Sequence, residues 1–237
     1  MNTRERLNIN GQVIWYDPQI SLRVSPSTFD TDYQFRQGNR TGSAPGRSKA
    51  HFLHLNGHDL VLRPYRRGGL MGKINRSLYL RLGAERSRVF REYSLLEWMH
   101  EQGLAVPRPV AARYVPAGGF YRAELITLRI PQAKPLADVL QESELPPEVW
   151  SGIGQAIGRM HALGVDHSDL NCRNILLDAQ MQASLIDFDK CRCRAKGAWQ
   201  DHNLSRLRRS LDKESRKHPA LFWSDSDWES VRSFVYE

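Results

Sequence analysis

The segment HSDLNCRN at residues 167–174 constrains this chain most, because of the patterns on either side of it. Residues 146–164 open with proline, carry apolar side chains at helical spacing and end in glycine, which predicts a helix. Two short apolar stretches, NILLD and ASLIDF, follow the segment and predict a pair of strands. Asp187 lies in the second stretch, thirteen residues after Asn174. The sequence therefore predicts a turn rich in polar side chains between a helix and a hairpin, with a further acid close by.

The spacing in this turn matches H-x-D-L-x-x-x-N, the catalytic loop of the protein-kinase-like phosphotransferases, and LIDFD stands where their metal-binding D-F-G follows. Phosphoryl transfer requires positioning and charge neutralisation, with magnesium bridging the phosphates. Asp187 and Asn174 offer the hard oxygen ligands that Mg²⁺ prefers. Asp169 can accept the proton of an acceptor hydroxyl, and His167 is expected to brace the loop. The alternative for Asp169 is an acid that only caps a turn. The residues that match the loop pattern are His167, Asp169, Leu170 and Asn174.

Further segments resemble the bacterial 3-deoxy-D-manno-octulosonic acid (Kdo) kinases, a lipopolysaccharide inner-core kinase family of the protein-kinase-like superfamily. The resemblance implies a single kinase-like domain with an α+β, two-lobed fold: a small β-rich N-lobe over about residues 1–130, and a reduced, mainly helical C-lobe over about residues 131–237. It implies ATP and Mg²⁺ as cofactors and phosphorylation of the 4-hydroxyl of a Kdo residue on a lipid A precursor. The segments that carry the likeness, between Gly46 and Arg194, are VLRPYRRGG with GK just after it, FREYSLLEWM, GLAVPRPVAARYV, LITLRIP, DLNCRNILLD and LIDFDKCR.

The chain departs from the superfamily pattern where the nucleotide phosphates would be held. The lysine that grips them on the third strand corresponds here to Arg63, and an arginine is a planar fork rather than a point charge. Lys73 is the alternative candidate. Glu92, on the following predicted helix, is the candidate partner for either cation, or else an acid on a solvated helix face. Gly46 and Arg47, in GRSKAH, are the candidates for the loop that covers the nucleotide, although this segment is no G-x-G-x-x-G motif.

The net charge of +8 is concentrated in one segment, because residues 63–91 hold nine basic side chains against Glu85 alone. Such a surface suits phosphates, nucleic acid or an anionic membrane, or it is simply a soluble basic face. Aromatic residues are not interleaved with these charges, as a single-strand nucleic-acid platform requires, so we expect no nucleic-acid partner. The resemblance implies a glycolipid acceptor at the cytoplasmic face of the bacterial inner membrane, and it implies no protein partner. The basic segment itself predicts peripheral attachment to that anionic surface. The basic residues are Arg63, Arg66, Arg67, Lys73, Arg76, Arg81, Arg86, Arg88 and Arg91.

Other features bear on alternative functions. The chain lacks a run of about 18 apolar residues and has no secretory leader pattern, so we expect a cytoplasmic protein. The three cysteines suit reduced thiols better than a disulfide framework, with Cys191 and Cys193 as metal ligands the less favoured option. Only 48 residues follow Asp189, which replaces the D-F-G glycine, so a protein kinase's activation segment and peptide-docking helices would not fit. The remaining alternatives are an antibiotic or small-metabolite kinase, a nucleotide-binding pseudokinase, and a basic nucleic-acid-binding module.

Hydrophobic patterning predicts the other elements. Strands are expected at QVIWY, at AHFLHLN and DLVLR on either side of an Asn56-Gly57-His58 turn, and at VPRPVAARYVP and FYRAELITLRI. A helix is expected from about Glu85 to Gln102, with Gly103 ending it. Residues 131–135 are expected to form a connection, and the tail from Gln200 a polar helical region.

Overall fold

The computed structural model describes residues 4–44, 50–65 and 79–235. They divide into two compact units, one formed by Met1–Glu97 with Arg108–Arg129 and the other by Trp98–Pro107 with Ile130–Glu237. Within these ranges the strands are β1 (Glu5–Ile9), β2 (Gln12–Tyr16), β3 (Arg40–Ala44), β4 (Ala50–Leu55), β5 (His58–Pro64), β6 (Tyr79–Leu80), β7 (Pro109–Ala117), β8 (Phe120–Leu128), β9 (Lys134–Pro135), β10 (Val165–Asp166), β11 (Ile175–Leu177), β12 (Ala183–Leu185) and β13 (Arg192–Cys193). The helices are a 3₁₀ turn (Pro26–Phe29), α1 (Thr31–Arg36), α2 (Arg88–Glu101), α3 (Leu136–Glu142), α4 (Pro147–Ala162), α5 (Trp199–Lys217) and α6 (Asp225–Val235).

The first unit is built on an antiparallel sheet of eight strands in the order β1-β2-β7-β8-β5-β4-β3, with β6 also paired to β8. Two-residue turns close the β1–β2, β4–β5 and β7–β8 hairpins. Asn56 and Gly57 both have positive φ, +50° and +78°, which is the backbone that a type I′ turn between β4 and β5 requires. Asn10 and Gly11 close the β1–β2 hairpin in the same way, with φ of +50° and +73°. These turns fix which side chains of each strand face the core.

Apolar side chains of the central strands form the core of this unit. Leu60 and Leu62 of β5 pack with Ile14 of β2 and Ile126 of β8, and all four are fully buried. Helix α2 begins after Ser87, whose Oγ accepts a hydrogen bond from the backbone N–H of Phe90 (3.3 Å). The position of this cap explains why the helix begins three residues later than the hydrophobic pattern predicts.

The second unit is mainly helical and carries the HSDLNCRN segment. Helix α4 begins at Pro147, as its proline predicts, and buries Ile153, Ile157 and Met160 completely. Helix α6 packs against α4 at very short range. A Cβ on Gly154 would lie 2.4 Å from the carbonyl oxygen of Val231, so only glycine permits this approach.

The predicted strands and the two long predicted helices are confirmed, with helix ends shifted by one to three residues. The strand predicted at ASLIDF is shorter than expected: β12 ends at Leu185, so Asp187 follows the strand instead of lying on it. Two other predictions need correction. The connection at residues 131–135 contains the short strand β9, because Lys134 and Pro135 pair with β11. The tail is helical, but α5 is amphipathic rather than simply polar, since Leu204, Leu207 and Leu211 are buried along one side.

Candidate active site

His167 lies in the middle of the polar turn, immediately after β10, and is fully buried. Its Nδ1 accepts a hydrogen bond from the backbone N–H of Asp169 (3.2 Å), so Nε2 carries the proton and donates it to the carbonyl of Ile186 (3.0 Å). The ring also packs on Phe188, with the ring centroids 4.8 Å apart. Burial lowers the pKa of His167 below its ordinary value, so the imidazole is neutral. Both ring nitrogens therefore hold the loop against the segment that follows β12.

Asp169 follows at the exposed side of the same turn. Its backbone carbonyl accepts hydrogen bonds from the amide groups of Asn171 (2.8 Å) and Asn174 (2.9 Å), which close the loop. Its carboxylate is about half exposed and accepts two hydrogen bonds at Oδ1 from Arg206 of helix α5. This carboxylate is therefore held by a neighbouring helix rather than by the backbone of its own turn, which argues against the simple turn-cap alternative.

A backbone hydrogen bond holds Asn174 next to the segment that carries Asp187, because the N–H of Ile186, the residue before Asp187, donates to the carbonyl of Asn174 (3.0 Å). The Nδ2 of Asn174 is occupied by the Asp169 carbonyl, which leaves Oδ1 as the atom of this side chain that can face a cation. Asp187 has a left-handed backbone, with φ of +66°, a conformation that aspartate tolerates better than most residues. These oxygens fit a magnesium ion, which takes one or two protein ligands and otherwise water and phosphate oxygens.

Arg173, within the loop, is paired with two acids of flanking helices. Its guanidinium donates to Asp138 of α3 (3.2 Å) and to Glu214 of α5 (2.7 Å). Burial raises the pKa of the Glu214 carboxyl, but hydrogen bonds from Arg173 and Lys217 outweigh that effect and hold the pKa at about 2. Glu214 is therefore ionised, and the charged pair anchors the end of the loop.

The first unit contains a second group of predicted residues. Arg63 on β5 donates to the carboxylate of Glu92 on α2, and the hydroxyl of Tyr65 donates to the same carboxylate. Glu92 is only 2% exposed, so the solvated helix-face alternative for this acid is wrong. A buried carboxylate requires such partners, because an unpaired charge in the interior is costly. The sequence identified Arg63 and Glu92 as candidate partners, and the structure brings them into contact.

Other predicted residues lie outside the described ranges. Gly46 and Arg47, the candidates for the nucleotide-covering loop, and Lys73, the alternative phosphate-gripping residue, are among them. Arg66, Arg67 and Arg76 of the basic segment are also outside. Of the rest, Arg81, Arg86 and Arg91 are exposed, and Arg88 is half-buried with its guanidinium over the ring of Tyr79 (5.0 Å).

None of Cys172, Cys191 and Cys193 forms a disulfide. Cys172, inside the loop, is buried, and burial raises the pKa of its thiol, which makes the reactive thiolate scarce. Cys191 accepts a hydrogen bond from the backbone N–H of Ser168 (3.3 Å), and Cys193 is exposed. Within the part of the chain that the structure describes, no three His, Cys, Asp or Glu residues cluster as ligands of a metal ion.

An antiparallel sheet bearing a buried Arg–Glu pair, together with a catalytic-type loop followed by an acid, defines a kinase-like phosphotransferase. Comparison with known protein families then shows to which family of kinases the chain belongs. Residues 32–234 match the profile of the lipopolysaccharide kinase (Kdo/WaaP) family, and the chain belongs to that family.

Similar proteins cover nearly the whole chain. It is 43% identical over 219 residues to a 3-deoxy-D-manno-octulosonic acid kinase of Vibrio parahaemolyticus, covering 92% of each chain. It is 42% identical over 225 residues to a protein of the same name from Photobacterium profundum, covering 95% of each. A third, from Pasteurella multocida, is 41% identical over 210 residues and covers 86% of this chain and 87% of its own. These relatives favour a lipopolysaccharide kinase over an antibiotic kinase, a pseudokinase or a nucleic-acid-binding module.

Two contacts at the site were not expected from the sequence. Arg206, on α5, holds the carboxylate of Asp169, and Tyr65 shares Glu92 with Arg63. Arg206 lies 37 positions after Asp169, in a helix whose other arginines have similar surroundings in the sequence, so no local pattern singles it out. Tyr65 lies two positions after Arg63 and so on the same face of an extended chain, which is a signal that could have found it.

Proposed function

We propose that this protein is an ATP-dependent kinase that phosphorylates the 4-hydroxyl of a Kdo residue on a lipid A precursor during lipopolysaccharide core biosynthesis. The observation that carries the proposal is the catalytic-type loop at residues 167–174, found in a chain that matches Kdo kinases over more than nine-tenths of its length. The two-lobed arrangement of the kinase fold, and its division near residue 130, are part of this proposal and stay predictions.

Asp169 is proposed as the base. As the hydroxyl oxygen of the acceptor bonds to the γ-phosphorus, the bond from that phosphorus to the bridging oxygen of ATP breaks and ADP leaves. The proton of the hydroxyl passes to the Asp169 carboxylate. The half-exposed position of this carboxylate supports the role, because an acceptor can approach it. His167 is proposed to brace the loop, since it is fully buried and both of its nitrogens are used.

Magnesium is proposed as a cofactor, held by the Oδ1 of Asn174 and the carboxylate of Asp187. When bound it would neutralise charge on the phosphates of ATP. Arg63, with Lys73 as the alternative, is proposed to hold the nucleotide phosphates. The buried pairing of Arg63 with Glu92 supports its assignment, because the carboxylate fixes the direction of the guanidinium. Gly46 and Arg47 are proposed to cover the nucleotide.

The acceptor is proposed to be presented at the cytoplasmic face of the inner membrane, where the protein would attach as a peripheral protein. Its basic segment suits the phosphates and carboxylates of such a glycolipid and of the surrounding lipids. Within the described part of this segment Leu80 of β6 is 64% exposed, and its strand partner Phe120 of β8 is 40% exposed. No helix in residues 4–44, 50–65 or 79–235 is long and apolar enough to span a membrane.

The test is phosphate transfer from labelled ATP with purified protein and magnesium. A lipid A precursor that bears Kdo is compared with the same precursor lacking Kdo. Label is expected in the first lipid only, and Asp169→Asn protein serves as the control for contaminating kinases. The position of the phosphate on the sugar ring is then determined by NMR. Equal labelling of both lipids would exclude Kdo as the acceptor, and labelling of neither would contradict the proposed function.

A further inference from the structure

Helix α5 carries a row of polar side chains that face the catalytic-type loop. They are spaced by three, four and four residues, so they fall on one side of the helix. Their contacts follow the order of the loop. Asn203 Oδ1 accepts from the N–H of His167 (3.0 Å), Arg206 donates to Asp169, Ser210 Oγ accepts from the N–H of Cys172 (2.9 Å), and Glu214 accepts from Arg173 (2.7 Å).

Arg206 differs from the other three, because it contacts the functional carboxylate itself. Its Nε lies 2.9 Å and its Nη2 2.6 Å from the same oxygen, Oδ1 of Asp169. No hydrogen bond from the described part of the chain reaches the other oxygen, Oδ2. Two donors in a rigid planar fork converge on Oδ1 and hold it in place, so Oδ2 is the oxygen of this carboxylate that stays available to an acceptor.

This contact is expected to add little to the stability of the folded protein. Both side chains are 49% exposed, and ion pairs at such positions contribute little to folding because water screens them. The contact between Arg206 and Asp169 is therefore expected to affect the orientation of the Asp169 carboxylate.

We infer that Arg206 is a positioning residue for the transfer reaction: it holds Oδ1 of Asp169 so that Oδ2 points to the hydroxyl of the acceptor. The inference rests on the proposed role of Asp169 as the base. Orientation matters because a displacement of a catalytic group by about 1 Å can lower a rate about 100-fold.

The first experiment compares Arg206→Gln with Arg209→Gln. Arg209 lies on the same helix, is also exposed, and loses the same charge on substitution. Turnover of Arg206→Gln is expected to fall by about 10- to 100-fold, with the Michaelis constants of ATP and acceptor changed by less than about threefold. Arg209→Gln is expected to behave as the wild type. Equal circular dichroism and melting temperatures would show that all the proteins are folded.

Two further measurements separate orientation from a general structural effect. In Arg206→Ala, added guanidinium ion is expected to restore part of the turnover, since it can occupy the vacated space and bond to Oδ1. In Asp169→Asn, adding Arg206→Gln is expected to cause no further loss, because residues that act through one another are not additive. The turnover of Arg206→Lys, which keeps the charge but loses the planar guanidinium, is expected to lie between that of the wild type and that of Arg206→Gln.

The outcomes distinguish this inference from the proposed function. Wild-type turnover in Arg206→Gln, with Asp169→Asn inactive, would overturn the positioning role and leave the base assignment in place. A raised Michaelis constant for the acceptor with unchanged turnover would mean that Arg206 binds the acceptor, which also overturns it. Wild-type turnover in Asp169→Asn would instead contradict the proposed role of Asp169.

Discussion

Asp169 combines an exposed carboxylate with a backbone carbonyl that closes its own loop, so its side chain can be changed without changing the loop. Asp169→Asn is expected to bind ATP as the wild type does and to lower turnover by about 100-fold or more, because only the proposed proton acceptor is lost. Steady-state kinetics and nucleotide titration measure the two effects. Wild-type turnover would remove Asp169 from the mechanism.

Asn174 and Asp187 should differ in their effect on magnesium. Asp187→Ala is expected to abolish magnesium-dependent nucleotide binding, whereas Asn174→Ala is expected to weaken it partially, because a carboxylate binds the cation more strongly than an amide oxygen. Calorimetric titration of ATP with and without magnesium tests this, and Asp178→Ala, at the exposed turn after β11, is a control. Negligible effects from both site substitutions would show that the two motifs do not hold the ion.

Two buried histidines should make stability depend on pH. Burial lowers the pKa of His161 and of His167, so both stay neutral in the folded protein while the unfolded chain takes up protons below pH of about 6.5. Protonation therefore favours the unfolded chain. The free energy of unfolding keeps its full value above that pH. It decreases as the pH falls below it, with a slope of up to about 2.7 kcal/mol per pH unit for two groups.

Urea unfolding at pH 7.5 and at pH values down to 5.5 measures this slope. His161→Gln is expected to reduce it by about half, since one of the two groups is removed. His202→Gln, which changes an exposed histidine of α5, is the matched control and is expected to leave the slope unchanged. A wild-type free energy of unfolding that stays constant over this range would contradict the assignment of neutral buried imidazoles.

Among the elements, the α4–α6 contact gives the most direct test of packing. Gly154→Ala places a methyl group against the carbonyl of Val231 and is expected to destabilise the protein by about 1–3 kcal/mol. Gly152→Ala, on the same helix, meets no atom within 4 Å and is expected to stabilise by up to about 1 kcal/mol through helix propensity. Denaturant unfolding compares the two. Similar effects from both would mean that α6 does not approach α4 as described.

The sequence predicts the elements that have strong local signals. The Asn56-Gly57 turn, the apolar spacing of α4 and the loop at residues 167–174 all depend on neighbours in the chain. The β1–β2 hairpin was missed although Asn10-Gly11 is a turn signal of the same kind, because its first strand is polar. The row on α5 could not be predicted. An inward-facing polar residue and a solvated one look alike until the partner segment is known.

At the scale of the whole molecule, the basic segment predicts attachment to anionic membranes. Binding to anionic vesicles should be strong in low salt and weak above about 0.5 M salt, because ions screen the attraction. Arg66→Glu with Arg67→Glu is expected to reduce binding and to leave ATP affinity nearly unchanged. Sedimentation with vesicles measures the binding. The matched control is Arg209→Glu with Arg232→Glu, which makes the same charge change on α5 and α6.

Vesicle binding that ignores both salt and the Arg66 and Arg67 substitutions would contradict the electrostatic account. Equal affinity for neutral vesicles would point to insertion of apolar side chains, for which the exposed Leu80 and Leu82 of the basic segment, and Phe120, the strand partner of Leu80, are candidates. Substituting these three by serine would then abolish the binding, whereas under the electrostatic account it would be retained.

The row of contacts from α5 also bears on how the enzyme loses activity with heat. Backbone amides of loops usually open on their own, well before a domain unfolds. Here the N–H groups of His167 and Cys172 are bonded to side chains of a helix that also buries an apolar stripe, Leu204, Leu207 and Leu211, in the second unit. Their hydrogen exchange should therefore be as slow as that of α5 itself. Heat inactivation should follow the loss of helical structure rather than precede it, so the catalytic-type loop and the helix would form one cooperative unit of unfolding.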